Sequence, residues 1–222
     1  MKEEIFIGPS KKQLNMQQKI KTALISVSDK TDLSSVLKTL NKYKIKIISS
    51  GGTFRSIKKL GYSCTEVSSY TGFKEMLDGR VKTLHPKIHA GILHDRSNKR
   101  QSKEMNTHKF LSIDLIIVNF YPFQKIVTSS KNDKEIVENI DIGGPTMVRA
   151  AAKNFKNVLI ITNKNDYVDL INEIERNKGQ TSLNFRKYMS SKAFGLTAYY
   201  DAMIANWFNQ KLNIKFPERK TI

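Results

Sequence analysis

The chain has 222 residues, 39% hydrophobic and 26% charged, which is enough apolar material for a sizeable core and excludes collagen, coiled coil and wholesale disorder. Its 38 Lys and Arg against 20 Asp and Glu leave a formal net charge of +18, a balance that points toward nucleic acid or another polyanion. The excess is mostly Lys spread along the whole chain beside abundant Asn and Ile; AT-rich coding produces this pattern without selection for binding, so nucleic acid is disfavoured as a partner, and the field equally suits a small phosphorylated substrate.

Residues 1–20 are polar, rich in Lys and Gln, and contain Gly8-Pro9-Ser10, so they read as an N-terminal extension. They lack the apolar stretch of a secretory signal, and no run approaches the roughly 18–20 apolar residues of a membrane span, so a cytoplasmic chain with no membrane contact is expected. One domain is expected over 21–210, followed by a tail over 211–222. Thr22–Val27 is a short apolar run, and Leu33, Val36, Leu37 and Leu40 then recur at helical spacing, which predicts a strand followed by a helix. The alternation repeats with Ile45–Ile48, then Ser49-Ser50-Gly51-Gly52-Thr53, a short helix over Phe54–Leu60 and Gly61 as its stop. A third strand is predicted near Cys64–Val67. Cys64 is the single cysteine, which excludes an internal disulfide framework or a Cys-based zinc site, agrees with a reducing compartment, and reads as a small core residue.

Leu115–Val118 and Val158–Ile161 read as buried strands. Between them Gly143-Gly144-Pro145 leads into a helix over Thr146–Asn154, with Pro near its first turn. Helices over Val168–Ile174 and about 183–210 complete the pattern. Strands alternating with helices predict an α/β fold with a mostly parallel central sheet and helices on both faces.

In such a sheet ligands bind beyond the carboxyl ends of the strands, where Ser28–Thr31, Ser50–Thr53, Asn119–Tyr121 and Asn163 would collect on one rim. Ser50-Gly-Gly-Thr53 enters a helix, so its N–H groups and hydroxyls suit a phosphate, or it is only a tight turn. The segment Gly72–Gly91 places Arg80, Lys82 and Thr83 in a glycine-punctuated loop, either a bracket for phosphate and developing negative charge or a solvated basic loop. His85 and His89 have the i, i+4 spacing of a metal pair, but Pro86 argues against an uninterrupted helix there, and no metal is expected. Asp141, just before a helix, and Lys153, further along it, could shuttle protons or form a structural ion pair. No Ser-His-Asp constellation, Walker-type GK[ST] or GxGxxG after the first strand is present, so hydrolase-triad, P-loop and dinucleotide readings lack support.

In combination and in order, these motifs resemble the N-terminal inosinate (IMP) cyclohydrolase domain of the bifunctional purine-biosynthesis protein that also carries AICAR transformylase. The carriers are Ile25–Thr31, Ser49–Thr53, Met76–His89, Val118–Phe123, Glu138–Met147 and Arg149–Asn154. The departures are small, with Asp32, Lys74 and Ala90 standing where Gly, Pro and Gly are common. The larger departure is at the end, where Phe216–Ile222 replaces the onward transformylase domain, so that second activity is not expected of this polypeptide. The resemblance implies a methylglyoxal-synthase-like fold. It further implies closure of 5-formamidoimidazole-4-carboxamide ribotide to inosinate with loss of water, no cofactor, a homodimer, and a separate AICAR transformylase. It also implies that Lys82 stabilises the oxyanion, that Asp141 orients or deprotonates the carboxamide, and that Lys153 with Tyr121 relays protons. Backbone N–H groups near Ile142 and Gly143 would hold the formyl oxygen. Lys30, Ser50, Gly52, Thr53, Arg80 and Thr83 would hold the phosphate, and Asn119 the base or a proton relay.

Overall fold

The computed structural model describes residues 17–74, 76–121 and 123–214. Residues 1–16 of the expected extension, with Gly8-Pro9-Ser10, and residues 215–222 of the expected tail lie outside the described residues.

Five strands form one parallel sheet: β2 (Thr22–Val27), β3 (Lys46–Ser49), β4 (Thr65–Glu66), β5 (Leu115–Asn119) and β6 (Leu159–Ile161). Their spatial order is β4-β3-β2-β5-β6, and every neighbouring pair is parallel. The chain winds outward from β2 in one direction through β3 and β4, then crosses back to β5 and winds the other way to β6. The switch point therefore lies between the carboxyl ends of β2 and β5, which is where a doubly wound sheet opens a crevice.

Side-chain alternation explains why both faces are covered. Ala23, Ile25 and Val27 of β2 and Leu115 and Ile117 of β5 enter one buried cluster, while Leu24, Ile116 and Val118 enter another. A strand that is apolar on both sides can only be buried on both sides. The first cluster is closed by α1 (Leu33–Lys42), whose Leu33, Val36, Leu37 and Leu40 are all buried, together with a later helix carrying Tyr167, Leu170 and Ile174. The second is closed by α4 (Pro86–Leu93) and α8 (Gly143–Lys153). The expected fold class, a mostly parallel sheet with helices on both faces, is borne out.

The other helices are α2 (Gly51–Lys59), α3 (Val67–Thr71), α5 (Lys99–Thr107), α6 (Phe123–Ser129), α7 (Asp133–Glu138), α9 (Tyr167–Arg176) and α10 (Leu183–Leu212). The predicted helices over Phe54–Leu60 and Thr146–Asn154 start earlier, at Gly51 and Gly143, because the glycine pairs form the first turns and do not precede them. Pro86 occupies the opening turn of α4, with His85 as N-cap accepting the Lys87 N–H at 3.1 Å; proline suits this place because its missing N–H has no intrahelical partner to lose. Asp32, which stands where the resemblance has Gly, adopts φ 59° at the entry to α1. Aspartate is among the few non-glycine residues that tolerate this left-handed region.

Two observations correct the expected start near Lys21. Gln18–Lys19 forms β1, paired antiparallel with β7 (Gln180–Thr181), and Ile20 is buried in the first core cluster. Asp114 explains how this entry is anchored: one carboxylate oxygen accepts the Lys21 and Thr22 N–H groups at 2.7 and 2.8 Å, and the other faces Arg96 at 2.6 Å. Cys64 packs half-buried against the first cluster, and burial pushes its thiol up to about 11. Among the described residues no helix is long and apolar enough to cross a membrane.

Candidate active site

A cavity of about 720 Å³ opens over the switch point, within the size range of small-molecule sites. Four segments wall it: the β2–α1 loop with Ser28 and Lys30, the β3–α2 turn with Ser50, Gly52 and Thr53, the Gly79–Thr83 loop, and the Glu138–Gly144 loop. Asn119 and Tyr121, from the end of β5, form its floor and one rim. All the residues to which the resemblance gives a role line this cavity, with the exception of Lys153; Asn163, expected on the same rim, is not part of its lining.

Lys153 ends α8, ten residues beyond Gly143, and is exposed. At 1.5 Å of rise per residue that is about 15 Å from the cavity end of the helix. The supposed Asp141–Lys153 pair is therefore not formed. The helix keeps the two groups at opposite ends, and Lys153 stands as a cation in the last turn, where it complements the helix dipole.

The charged centre is Lys82 with Asp141. Burial raises the pKa of Asp141, opposed by the hydrogen bond from the Gly144 N–H at 2.8 Å and by the charge of Lys82. A half-buried carboxylate whose protonated form is favoured by desolvation, beside an ammonium, is a candidate for proton exchange. The packing leaves no slack. A Cβ on Gly144 would meet Asp141 Oδ2 at 2.4 Å, and one on Gly143 would meet Thr83 Oγ1 at 2.6 Å. Lys82 Nζ lies against the backbone of Gly51, where a Cβ would be 3.1 Å away and where φ is +54°. The basic loop is thus pressed between the first turns of two helices, α2 and α8, whose N-termini favour negative charge.

Three expected ligands are already committed to neighbours. The Thr53 hydroxyl donates to the Val27 carbonyl at 2.9 Å and accepts the Val27 N–H at 3.0 Å. It clamps α2 to the end of β2, so what this residue can offer a phosphate is its backbone. Asn119 Oδ1 accepts from the Ser28 N–H, the Ser28 hydroxyl and the Asp29 N–H at 2.6, 2.8 and 3.2 Å, while its amide donates to the Asp29 carbonyl at 3.0 Å. Its carboxamide sews the β2–α1 loop across the switch point and is not placed as a proton relay. Arg80 makes a two-pronged ion pair with Glu138, its Nε donating to Oε1 at 3.0 Å and its other prong meeting Oε2. By contrast, Ser50 caps α2 with extended backbone and without a side-chain cap bond, and Lys30 donates to the Ser28 carbonyl at 3.1 Å. Tyr121, Val137 and Ile142 are 54%, 46% and 59% exposed and form an apolar rim.

His89 does not pair with His85. Burial lowers its pKa, and its Nε2 is enclosed without a hydrogen-bond partner among the described residues, while His85 Nδ1 is used by the Lys87 N–H. Among the described residues no group of three or more His, Cys, Asp or Glu side chains comes together.

Sequence reasoning missed Glu138 as the partner of Arg80, and Tyr200, whose hydroxyl accepts the Asp141 N–H at 2.9 Å. The first lies 58 residues from its partner and the second 59, and no local pattern carries either.

The chain belongs to the MGS-like domain family, whose model matches residues 32–146. Residues 151–222 match the AICARFT/IMPCHase bienzyme family. Two relatives described as bifunctional purine biosynthesis protein PurH, from Bradyrhizobium diazoefficiens and Leptospira biflexa, are each 45% identical to it over 201 and 203 residues. Those alignments cover 90% and 91% of this chain, which spans only 38% and 40% of the relatives' lengths. The crystal structure of ForH superposes with a TM-score of 0.76 at 28% identity, covering 85% of this chain and 99% of that one. The resemblance read from the motifs is thus borne out.

Proposed function

We propose that this chain closes 5-formamidoimidazole-4-carboxamide ribotide to inosinate and water. The observation that carries the reading is the convergence of Lys82, Asp141 and the first turn of α8 in one cavity beside the Ser50–Thr53 turn. PurH relatives of the same segment support it.

The reaction forms one C–N bond, between the carboxamide nitrogen and the formyl carbon, and breaks the formyl C–O bond. The carboxamide nitrogen and the formamide nitrogen each give up one proton, and both leave with the former formyl oxygen as water. No electrons are exchanged, so no redox cofactor enters the balance.

Asp141 takes the carboxamide proton; its raised pKa brings it nearer the pH at which it must give that proton on. Lys82 and the N–H groups at the start of α8 meet the oxyanion as it develops, in a preorganised site where such donors act most strongly. Tyr121, on the rim, is placed to pass protons to the departing oxygen. The phosphate lies against the first-turn N–H groups of α2 and Lys30, with Ser50, Gly52 and Thr83 around it, and Arg80 joins it by leaving Glu138. The site residues act by position and electrostatics, so remote phosphate binding also contributes orientation.

The substrate would come from a separate AICAR transformylase in the cytoplasm, and the chain would act as a homodimer.

The test is a chelator-treated assay without added cofactor, following inosinate by ultraviolet absorbance and chromatography. Conversion above the spontaneous rate is expected. Lys82→Ala should lower kcat by about 30- to 1000-fold, the roughly 2–4 kcal/mol of one lost oxyanion donor. Saturable ribotide binding with no conversion would instead identify a module that senses the metabolite, and near-wild-type turnover in Lys82→Ala would remove that residue from the chemistry.

A further inference from the structure

Tyr200 sits in the middle of α10 with 3% of its surface exposed, in a cluster with Phe123, Ile136 and Trp207. Its ring lies tilted against Phe120, centroids 4.9 Å apart, and edge-on to Phe123 at 6.1 Å. Those two phenylalanines bracket Tyr121. Its hydroxyl accepts the backbone N–H of Asp141 at 2.9 Å. One side chain on a distant helix therefore touches both the segment that carries Tyr121 and the segment that carries Asp141.

The hydrogen bond is not an incidental core contact. Asp141 is held at two points: its carboxylate oxygen takes the Gly144 N–H from the first turn of α8, and its own N–H gives to Tyr200. The first contact alone would let the loop pivot about the helix start, and the second removes that freedom. A site that works by placement needs this support, since tolerances are about 0.5 Å.

We propose that Tyr200 is a positioning residue for the ring closure, setting Asp141 and the Tyr121 segment in place relative to Lys82. This rests on the reading given under Proposed function. Burial, and further the charge of Asp141, keep the phenol protonated, so it serves as a neutral acceptor at working pH.

Tyr200→Phe keeps the ring and removes the acceptor. In the full chain, kcat should fall about 10- to 100-fold, the scale of a sub-ångström to 1 Å misplacement, while KM for the ribotide stays within about twofold because the phosphate end is untouched. Trp207→Phe disturbs the same cluster without touching the hydrogen bond, and should lower thermal stability with kcat unchanged. Amide exchange by NMR supplies a readout independent of turnover: the Asp141 N–H should exchange about tenfold or more faster in Tyr200→Phe and not in Trp207→Phe. An unchanged kcat in Tyr200→Phe, or an equal kcat loss in Trp207→Phe at the same loss of stability, would overturn the proposal. If the wild-type chain converts no ribotide, the functional reading fails. The exchange experiment then decides separately whether Tyr200 holds Asp141, and unchanged Asp141 exchange overturns the role.

Discussion

Gly144→Ala tests the site with one methyl group. The new Cβ would sit 2.4 Å from Asp141 Oδ2, 3.0 Å from its Cγ and 3.2 Å from Oδ1. Contacts of this kind are not tolerated below 3.0 Å, so the carboxylate must retreat by about 0.6–1 Å. The retreat also pulls Oδ1 from the Gly144 N–H, now at 2.8 Å, and a hydrogen bond to a charged group contributes about 1.5–3 kcal/mol. A 1 Å error in a reacting group costs about 100-fold, or roughly 2.7 kcal/mol of barrier. We therefore expect kcat for inosinate formation to fall by about two orders of magnitude, with far-ultraviolet circular dichroism unchanged. Gly195→Ala is the control. Nothing lies within 4 Å of a Cβ there, and the site is in α10, so stability should rise by up to about 1 kcal/mol with turnover intact. Retention of more than half of wild-type kcat by Gly144→Ala, measured under saturating ribotide, would refute the claim that Asp141 placement is what this glycine protects.

Asp141→Asn should separate stability from activity. Because burial raises the folded-state pKa of Asp141 above its ordinary 3.8, the folded chain binds that proton more tightly than the unfolded chain. Stability then falls as pH rises from about 3.8 through the raised pKa, and the penalty is fully present above that raised pKa. The amide keeps an acceptor for Gly144, so the variant should melt higher than wild type at pH 7, with the difference vanishing below about pH 3.8, while turnover is lost; a lower melting temperature at pH 7 would contradict this. Asn119→Ala orphans the Ser28 and Asp29 donors at the switch point. Denaturant titration should show a loss of about 1–2 kcal/mol, since the freed donors are part-buried or exposed, and KM should rise as the β2–α1 loop loosens, whereas a loss of kcat alone would reinstate a relay role.

The strands of the parallel sheet and the main helices were legible because each carries its own periodicity, whereas the two-residue β1 and β7 carry none. Thr22–Val27 and Leu115–Asn119 are apolar on both faces, and α1 repeats Leu and Val at helical spacing. Parallel order followed from alternation, and the rim of candidate residues followed from the rule that crevices open at the carboxyl ends of such strands. The motifs around Lys82 and Asp141 were likewise readable, since glycine, charge and chain order are local properties. Short helices such as α4 and α5 were missed because capping by His85 and Asn98 outweighs their weak apolar patterns.

What the chain alone determined is therefore a mostly parallel α/β sheet with helices on both faces and the short list of candidate site residues. Which of those groups are available was decided only by packing between distant segments. Asn119 and Thr53 are spent on holding the ends of the strands, Arg80 is met by Glu138, and Lys153 is carried out of reach by the length of its own helix. Tyr200, 59 residues from Asp141, reaches it. Hydrogen bonds and close contacts of this kind depend on where a side chain ends in space, and sequence spacing encodes that only within a helix turn or a strand.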